Sequence, residues 1–151
     1  MKKILILICT LNLSFLGFSQ DESSIVMNDS LVKQYFIEYI RLSKEVGLDV
    51  QDKLLKEIDY ILIVPEDVNV LELAETDSRI KLIKLSSDVR IDRLILKVNL
   101  FRELSHILGA PYDEGSIIMF RKKGYGFSYA FADDIDIMQI EIFRILSTVY
   151  K

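Results

Sequence analysis

The longest periodic stretch of the chain runs from Val89 to Leu108 and stops at Gly109-Ala110-Pro111. Ile91, Leu94, Ile95, Val98, Phe101, Leu104 and Leu108 recur at steps of three and four, the spacing that lines one side of an α-helix. Ser87 or Asp88 can cap it, and Gly109 permits the turn that ends it. An apolar face of this length has to be covered, so the rest of the chain must supply a layer that packs on it.

Two further helices are expected. Asp29 or Ser30 caps one that runs to about Val46, with Leu31, Tyr35, Phe36, Tyr39, Ile40 and Leu42 on one side and Gly47 as its stop. Asp133 or Asp134 caps a last one that runs to about Val149. A short helical turn is expected around Gln51 to Leu55. Between these lie strand candidates. Ile58 to Val64 (IDYILIV) is β-branched and apolar and ends at Pro65, which suits a buried strand. Arg79 to Leu85 (RIKLIKL) partly alternates basic with apolar residues, which suits a strand with one exposed face. A short strand is expected at Val68 to Leu73, inside the acidic stretch Glu66 to Asp77, and Gln20 to Asn28 reads as a loose lead-in. Tyr112 to Ala132 reads as a long connection with a hairpin. The order of helix, strands, helix, loop and helix predicts a small α+β domain.

Met1 to Ser19 has the layout of a secretory signal peptide. Lys2 and Lys3 form a positive start, Ile4 to Phe18 is largely apolar, and Gly17 and Ser19 are the small residues before a cut. Cleavage after Ser19 is expected, leaving a single domain from Gln20 to Lys151 with 17 basic and 23 acidic residues, and no membrane span. The product would be secreted or periplasmic. Its one Cys, Cys9, would leave with the signal, so no disulfide chemistry is expected. The acidic balance argues against nucleic acid as a partner, since phosphate binding needs a basic face.

The chain has one histidine, His106, so no site built from two or more histidines can exist. It stands in Phe101-Arg102-Glu103-Leu104-Ser105-His106-Ile107-Leu108-Gly109-Ala110-Pro111-Tyr112, followed by Gly115-Ser116-Ile117-Ile118-Met119. This stretch resembles the zinc-metallopeptidase signature H-E-x-x-H-x-x-G-x-x-H with a following S-I-M segment, as found in zincins and in small secreted bacterial metallopeptidases. Two histidines four apart on a helix share a face and can reach one Zn²⁺, and the glutamate between them can act as general base on a metal-bound water. Carried over residue by residue, the resemblance makes Glu103 the base and His106 the second ligand, with Gly109 at the turn. It puts Arg102 at the first ligand position and Tyr112 at the third, with Asp113 after it. The resemblance implies a zincin-like domain: a short mixed sheet packed on an N-terminal helix and a long motif helix, with a C-terminal helix.

Two of the three ligands are therefore replaced, and Arg102 brings a permanent positive charge to the face that would hold the cation. The expectation is a pseudoenzyme. Zinc, the cofactor of the family, is expected to be absent, and Glu103 and His106 remain as vestiges. Arg102 is expected to take over the metal's charge by pairing with Glu103, Asp113 or Glu114. The role expected of such a chain is to bind a peptide or protein through the old cleft, or to be structural. The alternative is an active metal-dependent peptidase with a non-standard ligand set, Glu103 as base and His106 as ligand. Tyr125, Phe127, Tyr129 and Phe131 alternate, so in a strand they would share one face. That face packs on the core or forms an aromatic lip beside the cleft, which makes Tyr125 and Tyr129 binding candidates along with Asp113.

Overall fold

The computed structural model describes residues 25–65, 74–87, 92–120 and 129–150. The signal segment, the strand expected at Val68 to Leu73, and Tyr125 lie outside them.

The described residues form an α+β fold with four helices and a four-stranded mixed sheet, the class expected from the sequence. The strands are β1 (Val26–Met27), β2 (Tyr60–Val64), β3 (Ala74–Asp77) and β4 (Leu82–Ser86), arranged in the order β1-β2-β4-β3. The pairs β1 with β2 and β2 with β4 are parallel, whereas β3 runs antiparallel along β4 as an edge strand. The helices are α1 (Ser30–Glu45), α2 (Gln51–Glu57), α3 (Arg93–Ile107) and α4 (Ile135–Leu146).

Local chemistry sets these boundaries. The Asp29 carboxylate accepts from the Leu31 and Val32 amides and starts α1. At its end Gly47 takes φ +85°, its amide bonds to the Lys44 carbonyl, and the Leu48 amide bonds to the Ser43 carbonyl. These two bonds form a Schellman closure. Asp134 caps α4 by accepting from the Ile137 amide. Just before Asp29, the Asn28 side chain donates to the Ile63 carbonyl and accepts from the Ile63 amide, both at 2.8 Å, as a strand residue would.

The motif helix α3 contacts β3 and β4, and α1 and α2 pack on it as well. It is therefore enclosed on nearly every side. Every residue from Leu96 to Ser105 is buried, including Lys97, Asn99, Arg102 and Glu103. That differs from the half-exposed helix its apolar spacing predicts. Lys97 is reconciled with burial by Glu38 of α1, whose Oε1 lies 2.6 Å from its Nζ. Tyr39 donates its hydroxyl proton to Ser105 Oγ at 2.8 Å, and Ser105 passes its own to the Phe101 carbonyl. Burial pushes the Tyr39 hydroxyl well above the usual tyrosine range, so it stays a donor.

Four expectations are corrected. The described helix begins at Arg93, with the Asp92 carboxylate on the Leu94 amide, and not after Ser87 or Asp88. Arg79 to Lys81 is a turn ending at Lys81 with φ 51°, so extended backbone starts only at Leu82. The β4 strand is then buried on both faces, because it lies inside the sheet between β2 and β3. The lead-in before Asn28 contains β1, a strand too short to show a period. Of the connection after Tyr112, where a hairpin is expected, residues 121–128 lie outside the described ones. Asp113 to Met119 is a loop closed by the Asp113 amide on the Met119 carbonyl at 2.6 Å, and Tyr129–Asp133 is a 3-10 helix. Tyr129 and Phe131 thus belong to a helical turn and not to an alternating strand.

Candidate functional site

The site is built where α3 passes under the edge strand. A cleft of about 330 Å³ is lined by Ala74, Glu75 and Thr76 of β3, Glu103 and His106 of α3, and Tyr112 beyond the helix end. The structure thus brings together three of the residues singled out in the sequence, Glu103, His106 and Tyr112.

The helix end explains how Tyr112 arrives there. Gly109 takes φ +104°, the Gly109 amide bonds to the His106 carbonyl, and the Ala110 amide bonds to the Ser105 carbonyl. This second Schellman closure turns the chain back along the helix. The Tyr112 ring then stands edge-on to the His106 ring, with centroids 4.4 Å apart. Tyr112 is still 43% exposed, so it forms the lip of the cleft.

Glu103 is fully engaged. Its Oε2 accepts from the Thr76 hydroxyl at 2.7 Å, and its Oε1 faces Arg102 Nε at 3.4 Å. Both side chains of the ion pair are buried, at 9% and 7% exposure. Neighbouring residues on a helix point about 100° apart. The two side chains have to bend toward each other, and the contact is a long one in which charge attraction outweighs hydrogen bonding. The guanidinium also lies 5.5 Å from the centre of the Phe120 ring, the residue directly after the Ser116-to-Met119 segment. Of the three carboxylates expected to answer Arg102, Glu103 is the one it pairs with.

The His106 ring is fixed by its own helix end. Nδ1 donates to the Ala110 carbonyl at 3.0 Å, which leaves Nε2 as the lone-pair nitrogen of the neutral ring. Nε2 is buried and has no hydrogen-bond partner among the described residues. Burial holds the His106 pKa below the ordinary histidine value and the Arg102 charge adds to this, while the Glu103 charge and the Ala110 bond pull the other way. A buried acceptor without a donor costs about 1–3 kcal/mol, which marks Nε2 as the unsatisfied point of the cleft.

Asp113 does not join them. Its carboxylate is taken by Arg144 of α4 at 2.6 Å and by the Gly115 amide at 2.9 Å, and these bonds hold it below the usual carboxylate range. Arg144 also bonds Glu141, so Asp113 belongs to a surface network that anchors the loop to α4. The conspicuous Ser116 serves the same anchor. Its hydroxyl donates to Glu141 and accepts from the Ile118 and Met119 amides, at 3.0 and 2.8 Å. The S-I-M resemblance thus falls on a loop brace and not on the cleft lining.

The residues present do not fit a zinc ion. The first ligand position holds a buried guanidinium, the third a phenol, and the base is committed to its neighbours. Among the described residues no group of three or more His, Cys, Asp or Glu side chains gathers in one place. Sequence reasoning missed Glu75, Thr76 and the Ala110 carbonyl. Thr76 stands 27 positions before Glu103, and no spacing rule connects an edge strand to a helix it meets only in the fold.

Comparison with protein-family models, with curated proteins and with solved structures finds no match for this chain.

Proposed function

We propose that this chain is a secreted, metallopeptidase-like protein without peptidase chemistry, and that it holds an extended peptide or protein segment in the cleft between β3 and α3. The observation that carries the reading is the state of Glu103. A general base needs a free lone pair facing a water, and both of its oxygens are committed, one to Thr76 and one to Arg102.

The edge position of β3 supports binding. Its inner side pairs with β4, and among the described residues no strand pairs with its outer side. An open edge is a template for an added strand, in which main-chain hydrogen bonds give affinity and pockets read the side chains. Here the edge overlooks a cleft with an aromatic lip, an arrangement suited to an extended segment.

The rival reading, a metal-dependent peptidase with Glu103 as base and His106 as ligand, has one observation in its favour, the unpartnered Nε2 of His106. Equilibrium dialysis against zinc separates the two. The expected result is far less than one zinc per chain and no cleavage of a mixed peptide substrate. One tightly held zinc per chain, lost in His106→Ala, defeats the proposal. Binding itself is read by NMR titration with a peptide library, which should move the amide signals of Ala74 to Asp77 and of Tyr112. A library that moves none of them removes the binding role.

A further inference from the structure

We infer that the segment taken up in the cleft enters with a cationic, hydrogen-bond-donating side chain, a lysine or an arginine. The inference rests on the peptide-binding reading above and names what that site selects.

It follows from where the protons around the cleft are already spent. The Thr76 hydroxyl gives its proton to Glu103 Oε2, and the His106 Nδ1 proton goes to the Ala110 carbonyl. Among the lining side chains this leaves one carboxylate unanswered, that of Glu75, beside Glu103, whose oxygens are already engaged by Thr76 and Arg102. A ligand side chain that brings N–H groups can answer the Glu75 carboxylate, which a side chain with acceptors alone cannot.

Charge points the same way. Two carboxylates line the cleft, and the Arg102 guanidinium, which does not line it, lies against one of them. Lys84 stands opposite Glu75 in the β3–β4 ladder, yet among the described residues Glu75 makes no ion pair. An entering cation meets a carboxylate that has not been answered. An entering carboxylate meets like charge, which turns the same groups into a device of rejection. The net charge of −4 over the whole chain favours approach of a basic segment. A volume of about 330 Å³ admits one long side chain.

The test uses acetylated, amidated heptapeptides of alternating Ser and Val, identical except for the central residue, titrated into the purified protein. The central residue is Lys, Arg, Nε-acetyl-lysine, norleucine or Glu. The Lys and Arg peptides should bind roughly tenfold tighter than the acetyl-lysine and norleucine peptides, the size of effect that one charge-assisted contact supplies. In Glu75→Gln, a change on a half-exposed edge strand, this preference should collapse, the Lys and Arg peptides falling to the affinity that the same variant has for the norleucine peptide. A norleucine peptide with a free N-terminus separates a side-chain cation from a terminal amine and should gain less than the Lys peptide. Equal affinity across the series, tighter binding of the Glu peptide, or a preference that survives Glu75→Gln overturns this inference alone. Binding by none of the peptides overturns the peptide-binding reading and this inference with it.

Discussion

Replacing Arg102 with methionine tests whether its guanidinium holds the site together. At 3.4 Å and an effective dielectric constant near 20, unlike unit charges attract by about 5 kcal/mol. Much of that attraction offsets the cost of burying both groups, so the informative quantity is the cost of removing one partner, about 3–5 kcal/mol for a buried pair. Glu103 keeps its bond from Thr76, and the Nε contact is long, so the lower end applies. Arg102→Met should lose about 3 kcal/mol. The chain has no Trp, so urea unfolding is followed by far-UV circular dichroism. With a slope of about 2 kcal/mol/M, the midpoint should fall by about 1.5 M. The double variant Arg102→Met/Glu103→Gln removes the stranded charge but keeps an oxygen for Thr76. It should be more stable than Arg102→Met alone, a coupling of at least about 1 kcal/mol. A single variant within about 0.5 kcal/mol of the parent, or a double variant that is strictly additive, would refute the argument that the guanidinium holds the site together through Glu103.

Three other expectations follow from the same geometry. Ser116→Ala leaves the buried Ile118 and Met119 amides without their acceptor and takes one donor from Glu141, which keeps Arg144 and the Ile117 amide; it should cost about 2 kcal/mol in thermal or urea unfolding. Gly109→Ala should cost about 1–2 kcal/mol from backbone strain alone, because φ is +104° while a new Cβ would come no closer than 3.9 Å to Val149. His106 titrates below its ordinary value of 6.5 in the folded chain, chiefly through burial. The folded state therefore binds the proton less readily than the unfolded one. The His106 contribution should be fully present above pH 6.5 and decline as the pH falls below it, a loss that unfolding midpoints would show and that His106→Phe should abolish.

The helix ends were the most legible part of the fold. Asp29, Gly47, Gly109 and Asp134 act through bonds to residues two to five positions away, so a single sequence window contains both partners. The strands were less legible, because their partners are distant. Ala74-Glu75-Thr76-Asp77 has little intrinsic β preference, and it becomes a strand because β4 is there to pair with it. The alternation in Arg79 to Leu85 misled because two of its basic members, Arg79 and Lys81, fall in a turn, while Leu82 to Ser86, Lys84 included, sits inside the sheet. Within the site, Glu103, His106 and Tyr112 could be placed together from helical periodicity and a glycine turn. Burial of Arg102 could not, since it depends on layers packed around α3 from both sides. Asp113 was assigned to the cleft by its neighbourhood in sequence, but Arg144, 31 positions on, takes its carboxylate elsewhere.

The paired bonds between Asn28 and Ile63 have a consequence for how the chain assembles. Asn28 follows β1 directly and precedes the Asp29 cap, so one side chain ties the alignment of the sheet to the starting point of α1. If β1 slipped by one residue along β2, every side chain on it would change face, and the Ile63 amide and carbonyl would lose their partner. The first turn of α1 would be displaced with it, rotating Val32 and Tyr35 away from the core by about 100°. Misalignment at a two-residue strand is thereby penalised across a sixteen-residue helix, so the smallest element of the sheet is also the one whose register is checked most severely.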